Sequence, residues 1–375
     1  MKKIIAVFIL IGVSVSVVMS GTHSGRVFWK TTLMLPEIIQ EVPIRPLLSL
    51  SDTPLVESVT YLEESQVRSA TLLRPNRTGE FGAMIFTLGV DANFQDPDVI
   101  RVTEAIARSG IVLLLPNSND FAEVRVGPEE VDLLVDAFNY LSEQPFVDPN
   151  RVGFVGFSVG GSMALLAAAD SRLRDKVAFV NAFGAYHDIF DVLSAVITNE
   201  LHGDESIVSW WPETRAKDIF MRGVLNVLSD PEDEPILGSF LRNPEEFQLI
   251  DGNGLSEEGK AILLLLQAEN LAEFDVARSK LPNQLRKRLN AISPSQHINN
   301  LNTKVFLMHD TGDRMIPFIE SRRMFTALDQ NVLAQYSEFT IFEHVNSSGF
   351  QMSFDFVRDI MKLFVHVQRL MSEVT

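Results

Sequence analysis

The chain contains no cysteine among its 375 residues. Disulfide bonds, thiolate metal sites, a cysteine nucleophile and a lipid-modified leader cysteine are therefore excluded. Basic residues are also scarce: 32 Lys and Arg face 49 Asp and Glu, which gives a formal net charge of −17. A surface of this sign repels phosphate backbones, so no nucleic-acid partner is expected, and general adhesion to anionic lipid is disfavoured as well.

Residues 1–20 carry the pattern of an export signal. Lys2 and Lys3 precede an uncharged run from Ile4 to Met19, the order of a secretory n-region and h-region. No Ala-x-Ala cleavage motif follows, so an N-terminal membrane anchor is the alternative, although a spanning helix needs roughly 20 apolar residues. A buried terminal strand or helix is the third interpretation. The first two predict an exported protein, secreted, periplasmic or anchored, with its catalytic domain outside the cytoplasm.

Residues 21–52 are apolar but contain several prolines, which predicts a linker segment without a long helix. Over residues 53–183 and 303–375, short β-rich runs alternate with amphipathic runs of helical length. This alternation predicts an α/β fold, a mostly parallel sheet with helices on both faces. The predicted strands are 56–61, 67–73, 83–88, 111–115, 151–157, 177–183, 303–309 and 335–342.

One connection is far longer than a crossover between parallel strands requires. Residues 184–302 have helical patterns and apolar stretches that exceed what a surface helix would show, whereas about a dozen residues are enough for a crossover. This segment is therefore predicted to be an inserted helical cap that divides one core into residues 53–183 and 303–375. The predicted cap helices are 188–201, 212–228, 256–274 and 282–291.

The pentapeptide from Gly156 to Gly160 reads G-x-S-x-G, with Ser158 at its centre. A predicted strand runs into the serine and a helix of small residues follows, which is the setting of a nucleophile elbow. A serine hydroxyl is inert at neutral pH and needs a base and a group that orients the base. Of the seven histidines, His344 is the predicted base because it lies in a polar loop after the last strand.

The acid is predicted to be Asp313, in the loop after the preceding strand, and Asp310 is its nearest competitor. The order Ser158, Asp313, His344 is that of the α/β-hydrolase triad. His309, Asp310 and Asp313 also suggest a metal site, but no second cluster completes it, so neither a metal nor a cofactor is expected.

These motifs resemble the α/β-hydrolase superfamily. Residues 148–161, around the elbow, resemble dienelactone-hydrolase-like and prolyl-oligopeptidase-like members, and residues 308–317 are similar to the family's acid loop. In that loop the second aspartate is catalytic, and the resemblance carries this role onto Asp313. Dienelactone hydrolases proper use a cysteine, whereas this chain has Ser158. The predicted oxyanion donors are the backbone N–H of Val159 and one from Gly89 or Val90.

The sequence therefore predicts an α/β-hydrolase fold with a helical cap and a serine esterase activity of the carboxylesterase or lipase type. Its partner would be a small ester, amide or lactone with an apolar acyl or ring part, because apolar cap helices are expected to roof the pocket. Two alternatives stay open. One is a catalytically silent hydrolase-like binding module, and the other is an acyltransferase with the same triad.

Overall fold

The computed structural model describes residues 21–39, 42–63, 66–203, 206–242, 252–340 and 354–375. Its centre is an eight-stranded sheet with the strand order β1-β2-β4-β3-β5-β6-β9-β10. Strand β2 pairs antiparallel with β1 and with β4, and the other neighbouring pairs are parallel. The strands of the sheet are β1 Leu55–Glu63, β2 Gln66–Arg74, β3 Phe81–Thr87, β4 Val112–Pro116, β5 Val147–Phe157, β6 Phe179–Phe183, β9 Lys304–Asp310 and β10 Leu333–Phe339.

Alternate side chains of the central strands enter two separate cores. In β3, Ala83 and Ile85 belong to one apolar cluster, whereas Met84 and Phe86 belong to the other. Successive side chains of a strand point to opposite faces, and here both faces are covered by helices. The predicted mostly parallel sheet with helices on both faces is thereby confirmed.

The helices of the core form two layers. On one face, α5 Glu129–Ser142 and α6 Val159–Ala169 pack against β3 to β6, and on the other lie α1 His23–Ile38, α3 Pro97–Arg108 and α14 Phe354–Val374. Two short helices, α2 Pro46–Leu50 and α4 Asn119–Ala122, lie in connecting segments, and α13 Ile319–Ala327 follows β9. Among the described residues, none of these helices has the length and apolar composition needed to span a membrane; residues 1–20 lie outside that part of the chain.

The prediction that residues 21–52 lack a long helix is wrong. Helix α1 spans 16 residues and contains Pro36 in its last turn, where the missing N–H removes a single backbone hydrogen bond near the end of the helix. Val27, Thr31, Met34 and Leu35 are buried at helical spacing, and the helix packs against α3 and α14. The carboxylate of Glu37 accepts a hydrogen bond from the backbone N–H of Leu47 at 2.7 Å. The segment is thus packed on the core.

Helices occupy most of the described part of the cap segment, as predicted, but their boundaries differ. They are α7 Ile189–Thr198, α8 Thr214–Leu225, α9 Asp233–Arg242, α10 Glu257–Leu266, α11 Leu271–Ser279 and α12 Asn283–Ala291, with a hairpin of β7 Glu200–His202 and β8 Ile207–Ser209. The predicted helix 256–274 is two helices, because the side chain of Asn270 accepts from the N–H of Glu273 and begins α11.

The first predicted cap helix, 188–201, ends earlier than expected. Asn199 adopts a left-handed conformation with φ of 57°, which ends α7. The acidic run at 230–234 leads into α9. Asp233 begins α9 and is fully buried, where it accepts from the N–H of Ser256 at 2.8 Å. Cap and core side chains belong to one continuous apolar cluster.

Candidate active site

Ser158 occupies the sharp turn between β5 and α6. Its φ of 55° and ψ of −133° lie in a region that residues other than glycine seldom adopt. The backbone N–H of Ser158 donates to the carbonyl of Phe183 at 2.7 Å, which ties the turn to the end of β6. The serine is half-buried. This is the strained strand-to-helix turn that presents a serine oxygen above the carboxyl edge of a sheet.

Glycines around the turn allow backbone segments to approach closely. A Cβ atom at Gly160 would lie 2.3 Å from the carbonyl oxygen of Leu88, and one at Gly156 would lie 2.6 Å from the carbonyl oxygen of Gly160. Real Cβ contacts are never so short, so the turn packs on the 88–89 loop only because these side chains are absent. Steric crowding therefore explains why the G-x-S-x-G pattern has glycine at both of these positions.

The predicted oxyanion residues lie around the serine. A Cβ atom at Gly89 would be 3.0 Å from Ser158 Cβ and 3.2 Å from Ser158 Oγ, so this backbone passes directly beside the hydroxyl. Val90 follows it, and Val159 begins α6; both valines are buried. The identity of the oxyanion donors stays a prediction.

Asp313 lies in the loop that follows β9. Its Oδ1 accepts from the N–H groups of Met315 at 2.7 Å and Ile316 at 3.0 Å. Its Oδ2 faces Gly184, where a Cβ atom would be only 3.3 Å away. Gly184 follows β6 and donates its N–H to the carbonyl of Met308 at 2.8 Å. Since Ser158 is bound to the neighbouring Phe183, the structure brings both residues to the same edge of the sheet.

Asp310 is the less suitable acid. It is buried, and its Oδ1 accepts from the N–H of Gly312 at 2.9 Å in a local turn. Asp313 is more accessible, with 22% of its side chain exposed. The geometry therefore favours Asp313 over Asp310, although its catalytic role stays a prediction.

His344, the predicted base, lies outside the described residues, within the segment 341–353. His309, which the sequence suggested only as part of a metal site, is fully buried at the end of β9. Its Nδ1 is 2.6 Å from Ser321 Oγ, and its Nε2 is 3.1 Å from the carbonyl oxygen of Ile316 and 3.4 Å from Asp313 Oδ2. His309 thus holds the loop that carries the acid.

Residues 119–210, which contain the elbow, match the model of the prolyl oligopeptidase family. The strand order, the strained serine and this match all indicate the same fold. The chain has the α/β-hydrolase fold.

Two curated relatives match parts of the chain. A probable 2-oxo-3-(5-oxofuran-2-ylidene)propanoate lactonase from Bradyrhizobium sp is 29% identical over 34% of the chain and 57% of the relative. The polyketide transferase claH from Penicillium crustosum is 32% identical over 30% of the chain and 40% of the relative. The chain thus spans about half the length of the curated relatives it matches. The solved structure of 2,6-dihydroxy-pseudo-oxynicotine hydrolase is 12% identical, covers 85% of the chain and 68% of its own, and has a TM-score of 0.47.

An apolar cavity of about 20 Å³ lies between the elbow and the cap. Val159 and Tyr186 form its floor, and Ile219, Phe220 and Leu289 come from cap helices. The Tyr186 hydroxyl donates to the carbonyl of Ile292 at 2.8 Å, so the buried phenol is satisfied. The cap therefore covers the start of α6 with apolar side chains.

A second, more polar cavity has a volume of about 310 Å³, and Gly89 is one of the residues that line it. Its wall includes Glu130 from the first turn of α5, which is only 4% exposed. The hydroxyl of Ser118 donates to this carboxyl group. Burial raises the pKa of Glu130 to about 7, with a smaller contribution from Asp120. The sequence analysis did not identify Glu130, because an acidic residue in the first turn of a helix is ordinarily exposed.

The two tryptophans of the cap have different environments. Trp210 is buried, and its Nε1–H donates to the carbonyl of Asp313 at 3.3 Å. Trp211 is 66% exposed, and its carbonyl accepts from Nε of Arg314 at 2.9 Å. Both therefore connect the cap to the acid loop.

A buried carboxylate fixes the entry of the chain into the cap. Glu320 of α13 accepts from the N–H groups of His187 and Asp188 at 3.0 Å each and pairs with Arg323 at 2.7 Å. Burial raises the pKa of Glu320, and the nearby Asp191 adds to this effect. No group of three His, Asp or Glu side chains suited to a metal occurs in the described part of the chain.

Proposed function

We propose that the chain is a serine hydrolase that cleaves a carboxylic ester, lactone or amide through an acyl-enzyme on Ser158. The observation that carries the proposal is the strained conformation of Ser158, with φ of 55°, on a turn against which Gly89 packs. Backbone strain at a single polar residue is typical of functional sites. The match of residues 119–210 to the prolyl oligopeptidase family supports the same chemistry.

In the proposed mechanism, His344 accepts the proton of Ser158 as Oγ attacks the substrate carbonyl. The resulting oxyanion accepts hydrogen bonds from the N–H of Val159 and from one N–H of the 89–90 loop. His344 then returns the proton to the leaving group as its bond to the carbonyl carbon breaks. Water repeats these steps on the acyl-enzyme and releases the acid. Asp313 orients His344, and two backbone N–H groups hold its carboxylate for this role.

We further propose that the acyl or ring part of the substrate is apolar. The apolar side chains that the cap packs over the elbow support this because they adjoin Val159, the residue next to the nucleophile; the cavity between them has a volume of about 20 Å³. One curated relative is named a lactonase, which supports an ester within a ring as the scissile group.

Acyl transfer to an alcohol is a second candidate function, favoured by the likeness to a polyketide transferase. The same acyl-enzyme would serve both reactions, and only the acceptor would differ. Product analysis with and without an added alcohol separates them. An ester of the added alcohol supports transfer, and the free acid alone supports hydrolysis.

The decisive experiment combines Ser158→Ala with a fluorophosphonate probe. We expect the intact chain to react with the probe and to hydrolyse short p-nitrophenyl esters, and Ser158→Ala to lose both properties while retaining its thermal unfolding temperature. Ser372→Ala, at an exposed serine of α14, is the matched control. Full activity of Ser158→Ala would refute the assignment, and failure of the folded chain to react with the probe would support a silent binding module.

We also propose that the protein is exported, as a secreted, periplasmic or membrane-anchored enzyme with its catalytic domain outside the cytoplasm. Two lysines followed by the apolar run 4–19 support this. Protease treatment of intact cells, with an N-terminal sequence of the mature chain, tests export and distinguishes a cleaved leader from an anchor.

A further inference from the structure

A large basic cavity lies at the amino end of the sheet, far from Ser158. It has a volume of about 610 Å³ and is enclosed by α1, the segment after α2, the 75–77 loop before β3 and the end of α3. The serine instead follows the carboxyl end of β5. The four basic residues that line the cavity are Arg26, Lys30, Arg77 and Arg108.

These cations are poorly balanced by negative charge. Asp52 is the acidic residue among the described residues that line the cavity, and Arg108 Nη1 reaches its backbone carbonyl at 3.1 Å. Arg108 Nη2 lies 3.9 Å from Glu104 Oε2, whereas neither Lys30 nor Arg77 makes an ion pair with an acidic side chain in the part of the chain that the structure describes. Arg77 lies over the ring of Phe81, with Cζ 5.3 Å from its centroid, and Arg108 Nε is buried without a hydrogen-bond partner.

The positive charges act on one another. Burial and the neighbouring Arg77, Arg151 and Arg26 lower the pKa of Lys30 to about 8. Arg151 is itself bound, through Nη1, to the carbonyl oxygen of the terminal residue Thr375 at 2.5 Å. Arg77 is exposed and Lys30 is half-buried. Holding like charges side by side without an anion is unfavourable, and it is unexpected in a chain with a net charge of −17. The arrangement is therefore that of a site completed by an anionic ligand.

Gly110 brings two of the cations together. A Cβ atom at this position would lie 2.4 Å from Arg77 Nη2 and 3.5 Å from Lys30 Nζ, so the missing side chain makes room for both groups. A guanidinium beside an ammonium group suits the several oxygens of a phosphate, to which arginine donates in a bidentate manner. Trp29, Leu33 and Leu47 give the same cavity an apolar wall.

We propose that this cavity binds a phosphate ester, whose phosphate contacts Lys30, Arg77 and Arg108 and whose organic part lies against Trp29 and Leu33. The same chemistry is offered by an ester free in solution and by a lipid headgroup. A headgroup is consistent with the exposed side chains of Ile44, Leu48 and Leu50, which are 65%, 56% and 69% exposed beside the cavity, and with the apolar run 4–19 that precedes α1. The site does not depend on the proposed hydrolase activity.

The test uses the full chain in non-ionic micelles and titrates it with inorganic phosphate and with glycerol 3-phosphate in a calorimeter. We expect saturable binding and a higher unfolding temperature with ligand, because a ligand stabilises the state that binds it. Lys30→Gln combined with Arg77→Gln should weaken binding by about tenfold for each cationic donor that is removed. Lys287→Gln combined with Arg222→Gln removes the same charge from exposed cap positions and should bind normally.

Vesicles of phosphatidylcholine, with and without phosphatidylglycerol, then distinguish a lipid headgroup from a soluble phosphate ester as the ligand. A preference for the anionic vesicles that glycerol 3-phosphate abolishes, and that Lys30→Gln with Arg77→Gln lacks, assigns the site to a lipid headgroup. Saturable phosphate binding without such a preference assigns it to a soluble ester. Absence of saturable binding, or equal binding by the folded double variant and the intact chain, overturns the proposal. Thermal unfolding without ligand establishes that the double variant is folded.

Discussion

The carboxyl end of the sheet and its amino end are built by different parts of the chain. At the carboxyl end, backbone packs on backbone: the Gly160 region touches Leu88, and the Gly89 region touches Ser158. At the amino end, the long side chains of Lys30, Arg77 and their neighbours surround an open cavity.

This difference determines how each end tolerates change. Main-chain atoms cannot move aside as the tip of a long side chain does, so an added methyl group at the carboxyl end must shift a strand, a helix or a loop. A substitution in the amino-end cavity changes charge and volume but leaves the backbone in place. A side chain added at a glycine of the carboxyl end should therefore reduce both activity and stability, whereas the removal of a charge from the amino-end cavity should change ligand binding alone.

The largest expected effect is the loss of kcat in Asp313→Asn. An amide keeps the shape of the side chain but cannot hold the base in the required tautomer, and such a change lowers kcat by about ten-thousand-fold in a serine triad. Asp310→Asn is the matched control, because Asp310 binds its own turn, and it should retain most of the activity. Rates with a p-nitrophenyl ester measure both. Equal loss in the two variants would contradict the assignment of Asp313 as the acid.

A smaller but substantial effect, on the free energy of unfolding, is expected for Gly160→Ala. Its Cβ would lie 2.3 Å from the carbonyl oxygen of Leu88, so the turn and the 88–89 loop must separate, which we expect to cost about 3 kcal/mol or more of the free energy of unfolding. Gly223→Ala is the matched control, since no atom lies within 4 Å of the added methyl group. That change in α8 should stabilise the protein by about 0.5–1 kcal/mol. Urea unfolding measures both, and equal effects would contradict the steric explanation.

Sequence patterns were sufficient to predict the core but not the cap in detail. Strands buried on both faces, such as β3 and β4, are continuous apolar runs, and their alternation with helices follows from the need to cover a parallel sheet. Helix boundaries in the cap depend instead on local side-chain bonds such as that from the N–H of Glu273 to Asn270. The apolar pattern continues across this break, so periodicity alone joined two helices into one.

In the candidate site, too, some residues could be predicted from the sequence and others could not. Ser158 and Asp313 were predicted because each follows directly after a strand, and strand ends meet at one edge of the sheet. The roles of His309 and Glu130 follow from tertiary packing. His309 is buried by α13 through its contact with Ser321, and Glu130 is buried beside Ser118. Neither burial leaves a signal in the spacing of residues along the chain.

Glu130→Gln tests whether a buried acid destabilises the carboxyl end. Its pKa is raised to about 7 in the folded chain from 4.5, so between these values the folded state holds a proton that the unfolded state has released. Stability is therefore lost as pH rises from about 4.5 to about 7, and since one pKa unit corresponds to about 1.4 kcal/mol, the loss is at most about 3.5 kcal/mol. The amide carries no charge and keeps an acceptor for Ser118, so the variant should gain stability over the parent at pH 8 but not at pH 4.

Thermal or urea unfolding across this pH range measures the difference between parent and variant. Glu129→Gln, at the exposed neighbouring position, removes the same charge and controls for the change in net charge. A stability difference that is the same at pH 4 and pH 8 would contradict the burial of an ionisable carboxyl group beside Gly89. If the difference grows with pH as expected, the protein retains a destabilising acid next to the predicted oxyanion loop. A parallel loss of ester turnover in Glu130→Gln would then mark the 310 Å³ cavity as part of the substrate site.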